Sequence, residues 1–163
     1  MKTLYVVRHA KSSWGDLTTP DFDRPLSDRG QRNAPEMAQR LLSRGFRIDA
    51  FVTSTARRAM QTSLYFIKAY GRSPEELILR EDLYHAPAEV YFSVVAQQDD
   101  KYSSIAIFGH NPGISAFVNE LTTTRIDDMP TCAIFAVQAD VRHWAEFPAA
   151  KKQFLFFDTP KQG

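Results

Sequence analysis

Four short apolar runs, each followed by a stretch with helical hydrophobic spacing, constrain this chain more than any other feature of its sequence. Residues 3–7 (TLYVV), 49–53 (DAFVT), 77–79 (LIL) and 104–109 (SIAIFG) are rich in β-branched and aromatic residues and do not alternate polar with apolar. Such runs read as strands covered on both faces, the state of strands in a parallel sheet. After the first, Ala34, Met37, Ala38, Leu41 and Leu42 recur at i, i+3, i+4, i+7 and i+8, with Ser27 placed to cap the helix and Gly45 to end it. Ala56, Ala59, Met60, Leu64 and Ile67 repeat the pattern as far as Gly71. Val90, Val94 and Val95 follow Pro87 in a third helix. Pro112 stands at the first position of a fourth, which carries Ile114, Phe117, Val118 and Leu121. Residues 132–137 and 154–157 read as two late strands. The expected fold is α/β, a three-layer sandwich with a mostly parallel central sheet and helices on both faces. Residues 11–27, polar and punctuated by Gly15, Pro20 and Pro25, form a loop long enough to suggest function.

The length, 163 residues, fits one domain spanning 1–163. Residues 1–60 carry a net charge of +5 and the remainder −4. That asymmetry hints at an anion site in the first third but is too mild for a nucleic-acid-binding protein. The one cysteine, Cys132, excludes an internal disulfide and a Cys-rich zinc site. The opening MKTLYVVRHAK lacks the apolar stretch of a signal peptide, and no window approaches a membrane span. A soluble, cytoplasmic protein is expected, with no membrane partner.

In open α/β sheets, ligands bind beyond the C-terminal ends of the strands. Arg8-His9-Ala10-Lys11 follows the first strand, Ser54-Thr55-Ala56-Arg57-Arg58 the second, and His110-Asn111-Pro112-Gly113 the fourth. Two of the four histidines and three arginines thus fall at one edge of the expected sheet. Helices beginning near Thr55 and Pro112 would add their N–H groups there. This pattern suits an anion, phosphate above all.

These segments also resemble a known family. Leu4-Tyr5-Val6-Val7-Arg8-His9-Ala10 is similar to the Arg-His-Gly signature of the histidine phosphatase superfamily, with Ala10 in place of Gly. Ser54-x-x-x-Arg58-Ala59-x-Gln61-Thr62 resembles its second motif, and Phe108-Gly109-His110-Asn111-Pro112-Gly113 its third. Asp23-Arg24-Pro25-Leu26-Ser27-Asp28-Arg29-Gly30 and the short length resemble the SixA-type phosphohistidine phosphatase branch, whose fold is phosphoglycerate mutase-like.

The resemblance implies His9 as nucleophile, forming a phosphohistidine intermediate that water hydrolyses. It implies Arg8 and Arg58 as phosphate clamps and His110 as the group completing the catalytic and phosphate-binding set. No metal and no cofactor are implied. Arg57 lies about 100° from Arg58 on a helix and reads as a rim or solvated charge. Many superfamily members place a general acid near the third strand, a role SixA-type members are thought to lack. Glu81 and His85 are the candidates here, and each reads equally as a surface group. Lys11, Ser12 and Ser13 either contact phosphate or begin a solvated loop. Trp14, Phe22 and Tyr84 either rim the site or pack the loop. Asn111 suits an N-cap, and His143 matches no motif.

The leading expectation is therefore a metal-independent phosphatase of phosphohistidine in a protein or peptide, acting as a monomer through a shallow, lidless pocket. The alternatives are a phosphatase of small phosphoesters using Glu81, and a non-catalytic phosphate-binding regulatory module. A histidine metal site built from His9, His110 and His85 is disfavoured, because the neighbouring arginines would repel a cation.

Overall fold

A computed structural model describes residues 1–162. Four strands, β1 (Lys2–Arg8), β2 (Ala50–Ser54), β3 (Ile78–Arg80) and β4 (Ser104–Gly109), are parallel, and β5 (Ile134–Ala139) and β6 (Lys152–Asp158) are antiparallel to the strands beside them. They form one sheet in the order β3-β2-β4-β1-β5-β6. Successive strand side chains point to opposite faces, so each buried strand needs two covers. Helices α1 (Asp28–Ser43) and α2 (Arg57–Ala69) pack Ala34, Met37, Leu41, Phe66 and Ile67 against Tyr5, Val7, Phe51, Ala106 and Phe108. On the other face, α3 (Ala88–Ala96) and α4 (Gly113–Asn119) pack Tyr91, Val94, Val95, Phe117 and Val118 against Leu4, Val6, Val52, Ile105 and Ile107. Burial on both sides is why the β1, β2 and β4 runs do not alternate, whereas β3, at the sheet edge, leaves Leu79 exposed, against the expectation of a strand covered on both faces; the expected α/β sandwich is the fold observed.

The element ends shift for local reasons. Ser27 caps α1, its Oγ accepting from the Gly30 N–H at 3.1 Å, and Gly45 takes a φ of +81° just beyond that helix. β2 starts one residue later than expected. The Asp49 carboxylate there accepts from the N–H groups of Ser103 (2.9 Å) and Ser104 (3.2 Å), tying the approach to β2 to the start of β4. β3 likewise runs one residue later than expected, because the Leu77 N–H belongs to the preceding turn, bonding Pro74 O. β5 begins at Ile134 rather than at residue 132. Cys132 adopts φ +62°, and its N–H donates to both Arg8 O and His9 O at 3.0 Å. Pro112 is the N-cap of α4 and not its first helical residue, and α4 is only seven residues long. Leu121 lies beyond its end yet is still buried in the same apolar cluster. Among the described residues, no helix is long and apolar enough to cross a membrane.

Candidate active site

The parallel register Arg8↔Gly109 brings the C-terminal ends of β1 and β4 side by side, and β2 flanks β4. Arg8, His9, Ser54 and His110 therefore leave three adjoining strands at one edge. Their backbones are fixed before any side chain acts. The His9 N–H bonds Gly109 O at 3.1 Å, and the His110 N–H donates to the Tyr91 hydroxyl at 3.0 Å. A Cβ at Gly109 would overlap that hydroxyl, so the residue before His110 must be small for α3 to approach. Tyr91 carried no signal in the sequence beyond its place in an apolar stretch.

The His9 ring is oriented by its own chain. Its Nδ1 lies 2.7 Å from Ala10 O, so Nδ1 carries the hydrogen and Nε2 keeps a free lone pair. Burial pushes its pKa down to about 3, opposed by the Ala10 hydrogen bond and helped by the charges of Arg58, Arg8 and Arg24. The imidazole is neutral at physiological pH. Ala10, where the family signature has Gly, is fully buried, and its N–H donates to Thr62 Oγ1 at 2.9 Å. The His110 ring sits 5.1 Å from that of His9, with Nε2 2.8 Å from Ser54 Oγ. Burial first, then His9 and Arg58, hold it down to about 3 as well.

Arg58 is buried and Arg57 exposed, as a 100° step around a helix requires. Arg58 donates from Nη1 to Asp21 O at 2.7 Å and from Nη2 to Asp21 Oδ2 at 3.1 Å. Arg8 donates from Nη1 to Met129 O at 2.7 Å. Arg8 Nε and His110 Nδ1 are buried without any partner, the only side-chain nitrogen or oxygen atoms so placed among the described residues. A cavity of about 240 Å³ gathers Arg8, His9, Arg58 and His110 together with Lys11 and Arg24.

The loop over residues 11–27 forms part of the cavity wall through Lys11, Ser12, Trp14 and Arg24. Arg24 bonds Ser12 Oγ, Ser13 O (3.2 Å) and Asp21 Oδ1 (2.9 Å), and its guanidinium lies 4.0 Å from the centre of the Trp14 ring. Trp14 lines the cavity, and the Phe22 ring packs edge-on against Tyr84 at 5.0 Å. The Tyr84 hydroxyl donates to Asp21 Oδ2 at 2.5 Å. That bond first, opposed by burial and then joined by Arg58 and Arg24, holds the Asp21 carboxyl down at about 2. Arg24 lay inside a quoted motif, whereas no spacing rule pointed to Asp21. The second motif's Gln61 accepts the Leu26 N–H at 2.8 Å, tying the loop to α2, and Thr62 joins Ala10 to Arg58 O.

Two candidates stand apart. Glu81 is exposed and does not line the cavity. His85, at φ +59°, stacks 3.9 Å from Tyr84 and faces a neighbouring cavity. Asn111 is not an N-cap. Its Nδ2 donates to Asp128 Oδ1 (2.7 Å) and Met129 O (3.2 Å). At the start of α4 the Ile114 N–H bonds His110 O at 2.9 Å and the Ala116 N–H bonds Pro112 O at 3.2 Å. His143 lies elsewhere, paired with Asp100 at 2.8 Å. Among the described residues, no group of three His, Cys, Asp or Glu side chains is placed to hold a metal ion.

Comparison with known proteins gives a consistent relationship. An uncharacterised protein of Mycobacterium tuberculosis is 31% identical, over 95% of this chain and 100% of that protein. The protein named SixA from Agrobacterium tumefaciens superposes with a TM-score of 0.82 at 26% identity, over 98% of each chain. The protein histidine phosphatase SixA complexed with tungstate gives 0.81 at 20% identity, again over 98% of each. The model of the histidine phosphatase superfamily (branch 1) matches residues 4–86, taking in the Arg8-His9 and Arg58 motifs. Motif order, fold and matched span agree, and the chain belongs to branch 1 of the histidine phosphatase superfamily.

Proposed function

We propose that this chain is a metal-independent phosphohistidine phosphatase, with residues 1–163 working as one domain and His9 as the nucleophile. One observation carries the reading. The two buried side-chain atoms left without a partner, Arg8 Nε and His110 Nδ1, both belong to residues around a neutral His9 with a free Nε2. An unpartnered buried polar atom costs free energy, about 1–3 kcal/mol each. Both residues line the cavity that holds His9, and a bound ligand that draws in these two groups would supply the missing partners. The tungstate complex of a structural neighbour supports an oxyanion as that ligand.

In this mechanism the phosphoryl oxygens lie between Arg8 and Arg58, whose guanidinium groups supply fixed positive charge in a desolvated pocket. The His9 Nε2 lone pair attacks phosphorus, and the bond from phosphorus to the substrate's imidazole nitrogen breaks. That nitrogen leaves with the bonding pair and takes a proton from solvent. As phosphorus draws electrons from the ring, Nδ1–H stays anchored on Ala10 O, so the ring does not turn away. Water then attacks phosphorus and gives up a proton to solvent, the bond from phosphorus to Nε2 breaks with its pair returning to Nε2, and phosphate leaves. His110, beside His9, donates to a phosphoryl oxygen once the bound anion raises its proton affinity.

An imidazole leaving group asks less of a general acid than an alkoxide. That fits a site in which Glu81 is remote and Asp21, held near 2, is ionised. The test is a ³²P-phosphohistidine peptide supplied to wild-type protein and to His9→Ala. Wild type is expected to release phosphate in the presence of EDTA and to carry label after an acid-free quench. His9→Ala should lose at least ~10⁴-fold in rate and take up no label. Label retained by His9→Ala, or turnover confined to sugar phosphates, refutes the proposal.

A further inference from the structure

A second cavity, of about 470 Å³, adjoins the first and shares His110 and Asn111 with it. Its volume falls within the roughly 300–1,000 Å³ of ligand-sized clefts. One side is built by Ala86, Pro87 and Glu89 at the start of α3, the other by Pro112, Ala116 and Glu120 along α4. The two sides touch at the base, where a Cβ on Gly113 would overlap the Ala86 carbonyl oxygen. The cleft is therefore a feature of the packed fold and does not depend on a loose loop.

The charges of the two cavities are sorted. Arg8, Lys11, Arg24 and Arg58 line the first, with no carboxylate. Glu89 and Glu120 line the second, with no lysine or arginine. Asp21, Asp49, Asp82 and Asp158 each meet an arginine, but Glu89 and Glu120 are exposed and form no ion pair among the described residues. The wall between the cavities is His110, which is 5% exposed and has an unpartnered Nδ1. A substrate whose phosphoryl group lies between Arg8 and Arg58 would reach past His110 into carboxylate-bearing, partly apolar space.

We infer that this second cavity is the subsite for the residue flanking the phosphohistidine, and that it selects a lysine or arginine there. The inference rests on the phosphatase reading of the first cavity and names the substrate class that it takes. The aliphatic stem of a lysine or arginine matches the alanine and proline walls, and its cationic head meets Glu89 and Glu120. An acidic flank, or a second phosphate, meets like charge at the same place.

The experiment compares two phosphohistidine peptides, identical except for arginine or glutamate beside the phosphorylated residue, with free phosphohistidine as a third substrate. Wild type should favour the arginine peptide by about five- to tenfold in kcat/KM, the size of one or two near-surface charge contacts. The preference should shrink as salt is raised. In Glu89→Gln/Glu120→Gln it should fall toward one, and in Glu89→Lys/Glu120→Lys it should invert. Both residues are exposed, and unchanged melting temperatures of the two double variants would show that the fold is intact. Equal rates on the two peptides, or a preference that survives the charge reversal, overturn the subsite while leaving the phosphatase reading intact. Failure of wild type to hydrolyse all three substrates overturns both.

Discussion

Strand β1 carries a basic residue at each end, and the two are treated in opposite ways. Lys2 is 5% exposed, and its Nζ donates to Asp100 O at 2.6 Å and Tyr102 O at 2.7 Å, with the Trp144 ring 5.4 Å away. The Trp144 N–H bonds Asp100 Oδ1 and its indole N–H bonds Tyr102 O, so that end of the sheet is internally satisfied. Arg8, six residues on, bonds Met129 O yet leaves Nε with no partner, and burial lowers its pKa. Both ends are polar and both are partly sealed from water. The difference is that one end meets its own hydrogen-bonding needs and the other leaves Arg8 Nε and His110 Nδ1 without a partner. A buried charge alone does not mark a site, whereas a buried charge without its full set of partners does.

The sharpest way to test that contrast is to damage the satisfied end. Trp144→Ala should cost about 3–5 kcal/mol of stability, read as a lower denaturation midpoint in urea. Phosphatase kcat/KM of the remaining folded protein should change less than twofold. A large catalytic loss with intact stability would erase the distinction between the two ends. At the Arg8 end, Arg58→Ala should lower kcat/KM by about 10²–10³-fold, the typical loss for one charge-stabilising donor. Arg57→Ala, one residue away and exposed, should stay within twofold. The reverse ranking would show that the second motif is misaligned by one position.

The third test uses protons. His9 and His110 bind a proton near pH 6.5 in the unfolded chain and only near 3 when folded. Between those values the unfolded state holds more protons. Their contribution to stability is therefore complete above about 6.5 and is lost as pH falls toward 3. The slope should reach at most about 2.7 kcal/mol per pH unit for the two together. Urea titrations at pH 7, 5 and 4 measure it, and His9→Asn/His110→Asn should flatten it. An equally steep acid limb in that double variant would place the sensitivity elsewhere.

The sheet could be read from sequence because burial on both faces leaves unbroken apolar runs, and the helices because their spacing is regular. Arg8, His9, Arg58 and His110 were legible because strand ends and motif order point the same way. Asp21 and Tyr91 were not, and Arg24, although inside a motif, carried no sign of its role. Asp21 and Arg24 depend on how a polar loop folds back, which no periodicity encodes. Tyr91 does double duty, since it satisfies the core pattern of α3 while its hydroxyl holds the backbone of His110. The turn at Cys132 has the apolar character of a strand, and only the positive φ of Cys132 distinguishes it.

The position of β1 has a consequence for the order in which the chain is made. It precedes β2, β3 and β4 in the chain, yet its neighbours are β4 and β5, and the turn that grips the carbonyls of Arg8 and His9 comes from Cys132. The segment bearing Arg8 and His9 must therefore wait, unpaired along both edges, until about a hundred further residues have been synthesised. Such long-range closure slows folding and leaves bare strand edges open to wrong partners. A nascent chain stalled before β4 would present the Arg8-His9 motif without the site that gives it chemistry.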